Sequence, residues 1–119
     1  MRSDDPTPLT RAEVELLEGF LAHDFPGVEA LRAQTRGLLA KRGCICGCGT
    51  IDLIPRGQDL PRSSAANPVE VSGHVLDADG VPIGGVLLWL ADGLLYSLEV
   101  YWYDRPIDLP AVRSVQWQL

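Results

Sequence analysis

Apolar residues recur along this chain first at helical and then at strand spacing, and the change of period falls near residue 38. Val14, Leu17 and Leu21 follow one another at helical intervals, with Leu16 and Phe20 widening the stripe. Ahead of them Thr10-Arg11-Ala12-Glu13 spells a capping box: the Thr10 hydroxyl takes an orphan amide and Glu13 reaches back. The spacing predicts that this helix stops near His23-Asp24. Pro26 suits the first turn of a second helix. There Val28, Leu31, Thr35 and Leu38 keep one face, and Gly37 ends the helix. Residues 1–8, closing on Pro6-Thr7-Pro8, read as a flexible tail.

Beyond residue 38 the period is two. Leu38–Arg42 and Thr50–Ile54 read as strands joined by a cysteine- and glycine-rich hairpin. The stretch 55–68 is rich in Pro, Ser, Arg and Asn without apolar period, and reads as a long mobile loop. Val69–Val75 alternates cleanly. Gly85–Leu90 is apolar on both sides, as a central strand is. Ala91-Asp92-Gly93 is the strongest short hairpin signal and leads into the long strand Leu94–Tyr103. In strict alternation Leu94, Tyr96, Leu98, Val100 and Trp102 make its buried face, and Ser97, Glu99, Tyr101 and Tyr103 the other. Trp89 is expected to be buried from one side or the other. The tail, with Leu109, Val112, Val115 and Trp117, adds a short edge strand or simply packs. The expected class is α+β: two N-terminal helices packed on one face of an antiparallel sheet of about five strands, in a single domain spanning 1–119.

Composition narrows the functional classes. The 119 residues are 46% hydrophobic, enough for a real core, and carry a net charge of -6. That charge argues against nucleic acid and anionic membranes as partners. Met1–Pro6 is polar where a signal peptide would be apolar, and no apolar run reaches membrane-spanning length. All three cysteines lie at 44, 46 and 48, an odd number that fits a reducing compartment. The expected location is the cytoplasm.

Four blocks are familiar: Leu9-Thr10-x-x-Glu13; Asp24-Phe25-Pro26-Gly27 with Leu31-Arg32-x-Gln34; Cys46-Gly47-Cys48-x-Thr50-Ile51-Asp52-Leu53; and Asp92-Gly93-x-Leu95-x-x-Leu98-Glu99-Val100. Together they resemble a group of small uncharacterised bacterial proteins. The resemblance implies a small cytoplasmic domain. It carries no activity and transfers no functional residue.

Two constellations carry candidate chemistry. Thiolates at Cys44, Cys46 and Cys48 are ligands for zinc or copper(I), with His74, His23, an Asp or a second subunit supplying a fourth position. On a regular strand the thiols would stand about 7 Å apart per step, so chelation requires Gly47 and Gly49 to kink the chain. The alternatives are redox or thiol chemistry, and buried free thiols acting as small hydrophobes in a glycine-made turn. The second constellation is the polar side of the sheet: Asp52, Glu70, Ser72, His74, Glu99, Tyr101 and Tyr103. A Tyr-rich, acidic surface suits contact with a protein, including a second copy of the chain, and otherwise is a solvated face with cross-strand pairs. No phosphate loop, nucleophile elbow or H-E-x-x-H motif is present, and His74 beside Glu70 or Glu99 is a weak acid–base pair. The sequence therefore favours a protein-interaction domain that is not an enzyme, by analogy an inhibitor, an immunity-like partner or an accessory subunit. A metal or thiol module is the alternative.

Overall fold

The computed structural model describes residues 5–42 and 49–119. In chain order the elements are β1 (Thr7–Pro8), α1 (Arg11–Leu21), α2 (Val28–Ala33), β2 (Leu39–Lys41), β3 (Ile51–Ile54), β4 (Ser72–Leu76), β5 (Pro82–Ala91), β6 (Leu94–Trp102), a 3-10 turn at Val112–Ser114, and β7 (Val115–Gln118). The class is α+β. The strands form one sheet of seven in the order β1-β2-β3-β6-β5-β4-β7, every neighbouring pair antiparallel. The five expected strands are β2 to β6. Two short strands extend the sheet at its edges: β1, formed by residues expected in the tail, and β7.

The capping box forms at the head of α1. Glu13 N donates to Thr10 Oγ1 at 3.2 Å, and Thr10 N donates to Glu13 Oε1 at 2.8 Å. Arg42, just past β2, then reaches Glu13 bidentately, Nε to Oε2 at 2.7 Å and Nη2 to Oε1 at 2.5 Å. The same guanidinium donates to Thr7 Oγ1 and to the Pro8 carbonyl. One carboxylate thus fastens a helix start to the first edge of the sheet. It is buried in consequence, whereas Val14, expected on the apolar stripe, is 38% exposed.

The second helix is shorter than predicted. Gly27, at φ 90°, is its N-cap, so Pro26 stands ahead of the helix and not inside its first turn. It ends at Ala33, and residues 34–37 are turns, with Gly37 at φ 70°. The early end rotates the face: Thr35 is exposed and Gln34 is fully buried. Every polar group of the Gln34 amide is engaged. Nε2 donates to the carbonyls of Pro61 (2.8 Å) and Gly93 (2.9 Å), and Oε1 accepts from Leu95 N (2.7 Å). A buried amide left unpaired would cost what these bonds prevent.

The β5–β6 hairpin lies at the centre. Asp92 and Gly93 both have positive φ, 51° and 78°, the backbone of a type I′ turn. Val86 faces Val100, and Leu88 faces Leu98, all buried. Between Trp89 and Leu90 the register shifts, with Trp89 opposite Ser97 but Leu90 opposite Leu95. The shift places the odd residue, Tyr96, outside. Leu95 is therefore in the core and Tyr96 is 55% exposed, the reverse of strict alternation. Trp102 is also not core: it stands 39% exposed opposite Gly84, past the last buried pair.

The buried cluster combines helix residues Leu16, Leu17, Phe20, Leu21, Val28 and Leu31 with Ala40, Ile51, Leu53, Val75, Val86, Leu88, Leu98 and Val100. The strand members sit at alternate positions. Trp117 of β7 packs on this cluster, edge-on to Phe20 at 4.8 Å between ring centroids. A Cβ on Gly19 of α1 would collide with the indole, so glycine there lets the helix and β7 approach.

The stretch 55–68 holds no helix or strand, yet it is fastened repeatedly. Ser63 N donates to Gly93 O, Ser63 Oγ to Gly27 O, and Arg62 Nη1 to Asp92 O. The Asn67 amide pairs both ways with the backbone of Leu90 at 2.8 Å, and Val69 N donates to Leu88 O. Residues 67–69 thus prolong the line of β4 along β5; the Asn67-Pro68 peptide is cis. No helix among the described residues is long and apolar enough to cross a membrane.

Two outcomes test this account. Gly93→Val forces a β-branched residue into positive φ and drives a Cβ within 2.9 Å of the Ser63 backbone and the Arg62 side chain. It is expected to cost about 1–3 kcal/mol in urea denaturation; a variant as stable as the parent would place the turn elsewhere. The second outcome concerns acid. The hydrogen bonds from Arg42, chiefly, together with those from Thr10, hold the Glu13 carboxyl below its ordinary value of 4.5, against the opposing effect of burial. A depressed folded-state value stabilises the fold above the unfolded value and the effect is lost as pH falls through the folded one. Glu13→Gln should therefore lose about 1–3 kcal/mol at neutral pH. The difference from the parent should narrow progressively as pH is lowered below 4.5, as followed by denaturant titrations across the acid range.

Candidate functional site

The register that buries Val86, Leu88, Leu98 and Val100 turns the alternate residues to the opposite face. Three of the cross-strand rows can be read directly. Lys41, Asp52, Ser97 and Trp89 run from β2 through β3 and β6 to β5. Glu99 of β6 stands opposite Leu87 of β5. Tyr101, Gly85, His74 and Gln116 run from β6 to β7. Leu39 and Ile54 face each other on the same side, toward the β1 edge. Apart from Lys41, Asp52 and Gln116, which are exposed, and Gly85, which is buried, these residues are half-buried.

The interactions on this face are specific. Trp89 Nε1 donates to Glu99 Oε1 at 2.7 Å, satisfying the one polar atom of the indole and orienting the carboxylate. A side chain at Gly85 would collide with the phenol of Tyr101. The missing Cβ therefore lets that ring lie across β5 in the direction of β4. Tyr103, just past β6, sets its ring 5.9 Å from that of Tyr101, tilted 60°. Burial, chiefly, pushes the Tyr101 phenol above its ordinary value, helped by hydrogen bonding and proximity to Tyr103 and by the Glu99 carboxylate. Tyr101 is thus a neutral hydrogen-bonding group throughout the physiological range. Next along its row, His74 Nδ1 is buried without a hydrogen-bond partner among the described residues.

Of the residues singled out from sequence, Ser72, His74, Glu99 and Tyr101 share the outward face, and His74 and Tyr101 stand in one row. Glu70 precedes β4 and is exposed, on the side of Ser72 and His74 by the burial alternation of 69–75. Tyr103 lies past the end of β6, tied by its N–H to Ile83 O at 3.2 Å. His23 lies elsewhere, its ring 5.6 Å from that of Trp117 and its Nδ1 3.4 Å from Phe20 O. Leu87, Trp89, Leu39 and Ile54 were not expected on this surface. The signal for the first two was present: a strand apolar on both sides puts apolar groups on the outer face of the sheet as well as the inner.

Cys44, Cys46 and Cys48 lie outside the described residues. Within the described residues no group of three or more His, Cys, Asp or Glu side chains is placed to hold a metal ion. Comparison of the chain with protein-family models, with curated proteins and with solved structures finds no match.

Proposed function

We propose that this chain is a macromolecule-binding domain that engages a protein partner through the outward face of its sheet. The reading takes the two helices as the cover of one face, since their apolar residues share a cluster with one set of alternate strand positions. The Cα extents of 44 × 41 × 21 Å support it, because layers about 10 Å apart leave a 21 Å thickness room for two, not three. The observation that carries it is the composition of the outward face. Trp89, Leu87 and Tyr101 form a half-buried aromatic and aliphatic centre, with Glu99, Ser97, Ser72, His74 and Asp52 around it. An apolar core with a polar rim is the anatomy of a protein contact, and Trp and Tyr are its usual anchors. An inhibitor, immunity-like partner or accessory subunit of the cytoplasm fits such a surface, as does a second copy of the chain.

Tyr101→Ala is the discriminating variant. Its ring lies on Gly85 at the surface, so its loss should cost about 1 kcal/mol of stability or less but on the order of 2 kcal/mol in binding. Val100→Ala, on the opposite side of the same strand, should cost about 2–3 kcal/mol of stability through the cavity it leaves and little binding. Affinity capture followed by titration of the captured partner, with sedimentation to detect self-association, reads both variants. Parent and Tyr101→Ala behaving alike in all of these would remove the outward face as the working surface.

A metal or thiol module at Cys44, Cys46 and Cys48 is the second reading. It is favoured by the antiparallel pairing of β2 with β3, which brings both ends of the segment carrying the three thiols together at the Lys41–Asp52 pair. Freshly purified protein should then carry near-stoichiometric zinc or copper, lost together with thermal stability in the double variant Cys46→Ser, Cys48→Ser. Elemental analysis that finds no transition metal rules out the metal form of this reading, and thiols that are inert to a disulfide reagent in the native protein rule out the thiol form.

A further inference from the structure

Carboxylates outnumber basic side chains 16 to 10 in this chain, yet a concavity of about 770 Å³ is lined by three arginines and no acidic residue. It lies between the end of α2 with its following turn, which supply Arg32, Thr35 and Arg36, and residues 56–60, which supply Arg56 and Leu60. The arginines differ in what they have left to offer. Arg32 is committed: Nε donates to Leu21 O at 2.8 Å, Nη1 to Glu29, and Nη2 to Asp24 and His23 O. It is a fixed wall. Arg36 and Arg56 are exposed, and neither makes a hydrogen bond or ion pair within the described residues. Arg11 and Arg42, by contrast, each hold a carboxylate. Arg105 and Arg113 are likewise exposed and unpaired among the described residues, but neither lines this cavity; Arg36 and Arg56 are the two free guanidinium groups that share it.

We propose that this concavity binds a small polyanion, a phosphorylated or polycarboxylate metabolite without an aromatic base. The chemistry of the lining selects that class. Two guanidinium forks match phosphate or carboxylate oxygens bidentately, which isolated ammonium groups do not. The volume falls in the range of roughly 300–1,000 Å³ typical of small-molecule sites. No aromatic residue lines it, so a nucleobase would find nothing to stack on; Leu60 and Ala33 offer only a small aliphatic wall. The net charge of -6 repels any anion at long range. Binding must therefore come from short-range contact with Arg36 and Arg56, and it should respond sharply to their replacement.

The experiment is an amide chemical-shift titration of the intact chain with three probes: pyrophosphate, citrate, and sodium chloride at matched ionic strength. Saturable shifts confined to residues 32–37 and 56–60 are expected with pyrophosphate or citrate, and the stronger of the two identifies the anion class. The double variant Arg36→Ala, Arg56→Ala should fold normally, since both side chains are exposed and unpaired, and should bind at least tenfold more weakly. Arg36→Lys, Arg56→Lys, which keeps the charge and loses the fork, should fall between. ATP should bind no more tightly than pyrophosphate. Shifts that fail to saturate, that sodium chloride reproduces, or that survive the alanine variant unchanged would overturn the site. None of these readouts involves the outward face of the sheet, so the site stands or falls independently of that surface.

Discussion

The register of β5 against β6 is the constraint from which the rest of the molecule follows. Asp92 and Gly93 set it at one end by adopting positive φ, and the shift between Trp89 and Leu90, a few residues from that turn, resets it. Val86, Leu88, Leu98 and Val100 then fall on one side, and Leu87, Trp89, Glu99 and Tyr101 on the other. β3 joins along β6 and β4 along β5, so each inherits the same choice of faces. A one-residue error in this hairpin would exchange the core with the outward surface over the whole sheet.

Two side-chain amides do work that secondary structure does elsewhere. Gln34 ties the end of α2 to the central hairpin and to Pro61. Asn67 supplies the donor and acceptor that a strand residue would have given Leu90. Between them they hold a segment with no regular backbone pairing of its own. Their side chains satisfy buried backbone groups that would otherwise be costly to leave unpaired.

What could be read from sequence was whatever depends on local pattern. The capping box, the Asp92-Gly93 turn, the two helices and five strands, and the pairing of inward Leu98 and Val100 with outward Glu99 and Tyr101 all follow from spacing within a few residues. What could not be read depends on contacts between distant residues. Alternation has no term for a register shift, so it places Leu94 and Tyr96 in the core that Leu95 occupies. Glu13 displaces Val14 from the interior because Arg42, far along the chain, comes to meet it. Gln34 looks like a surface residue until Gly93 and Leu95 are beside it. Trp102 reads as core because nothing local reveals that the covered part of β6 ends at Val100. On the outward face, the polar members were legible one strand at a time, but the rows that assemble them belong to the sheet.

The two edges of the sheet are unlike. β1 is two residues long, contains Pro8 and follows Pro6, so it offers little backbone to a further strand. β7, Val-Gln-Trp-Gln, is twice that length and carries no charge, proline or bulge, the devices that usually blunt an edge. A sheet able to accept strands at both edges can polymerise without limit. One with a single receptive edge closes after one addition, because two copies joined at β7 would present only their β1 edges outward. The asymmetry therefore acts as a chain terminator: whatever strand pairing this acidic domain undergoes, its geometry favours a finite pair over a filament.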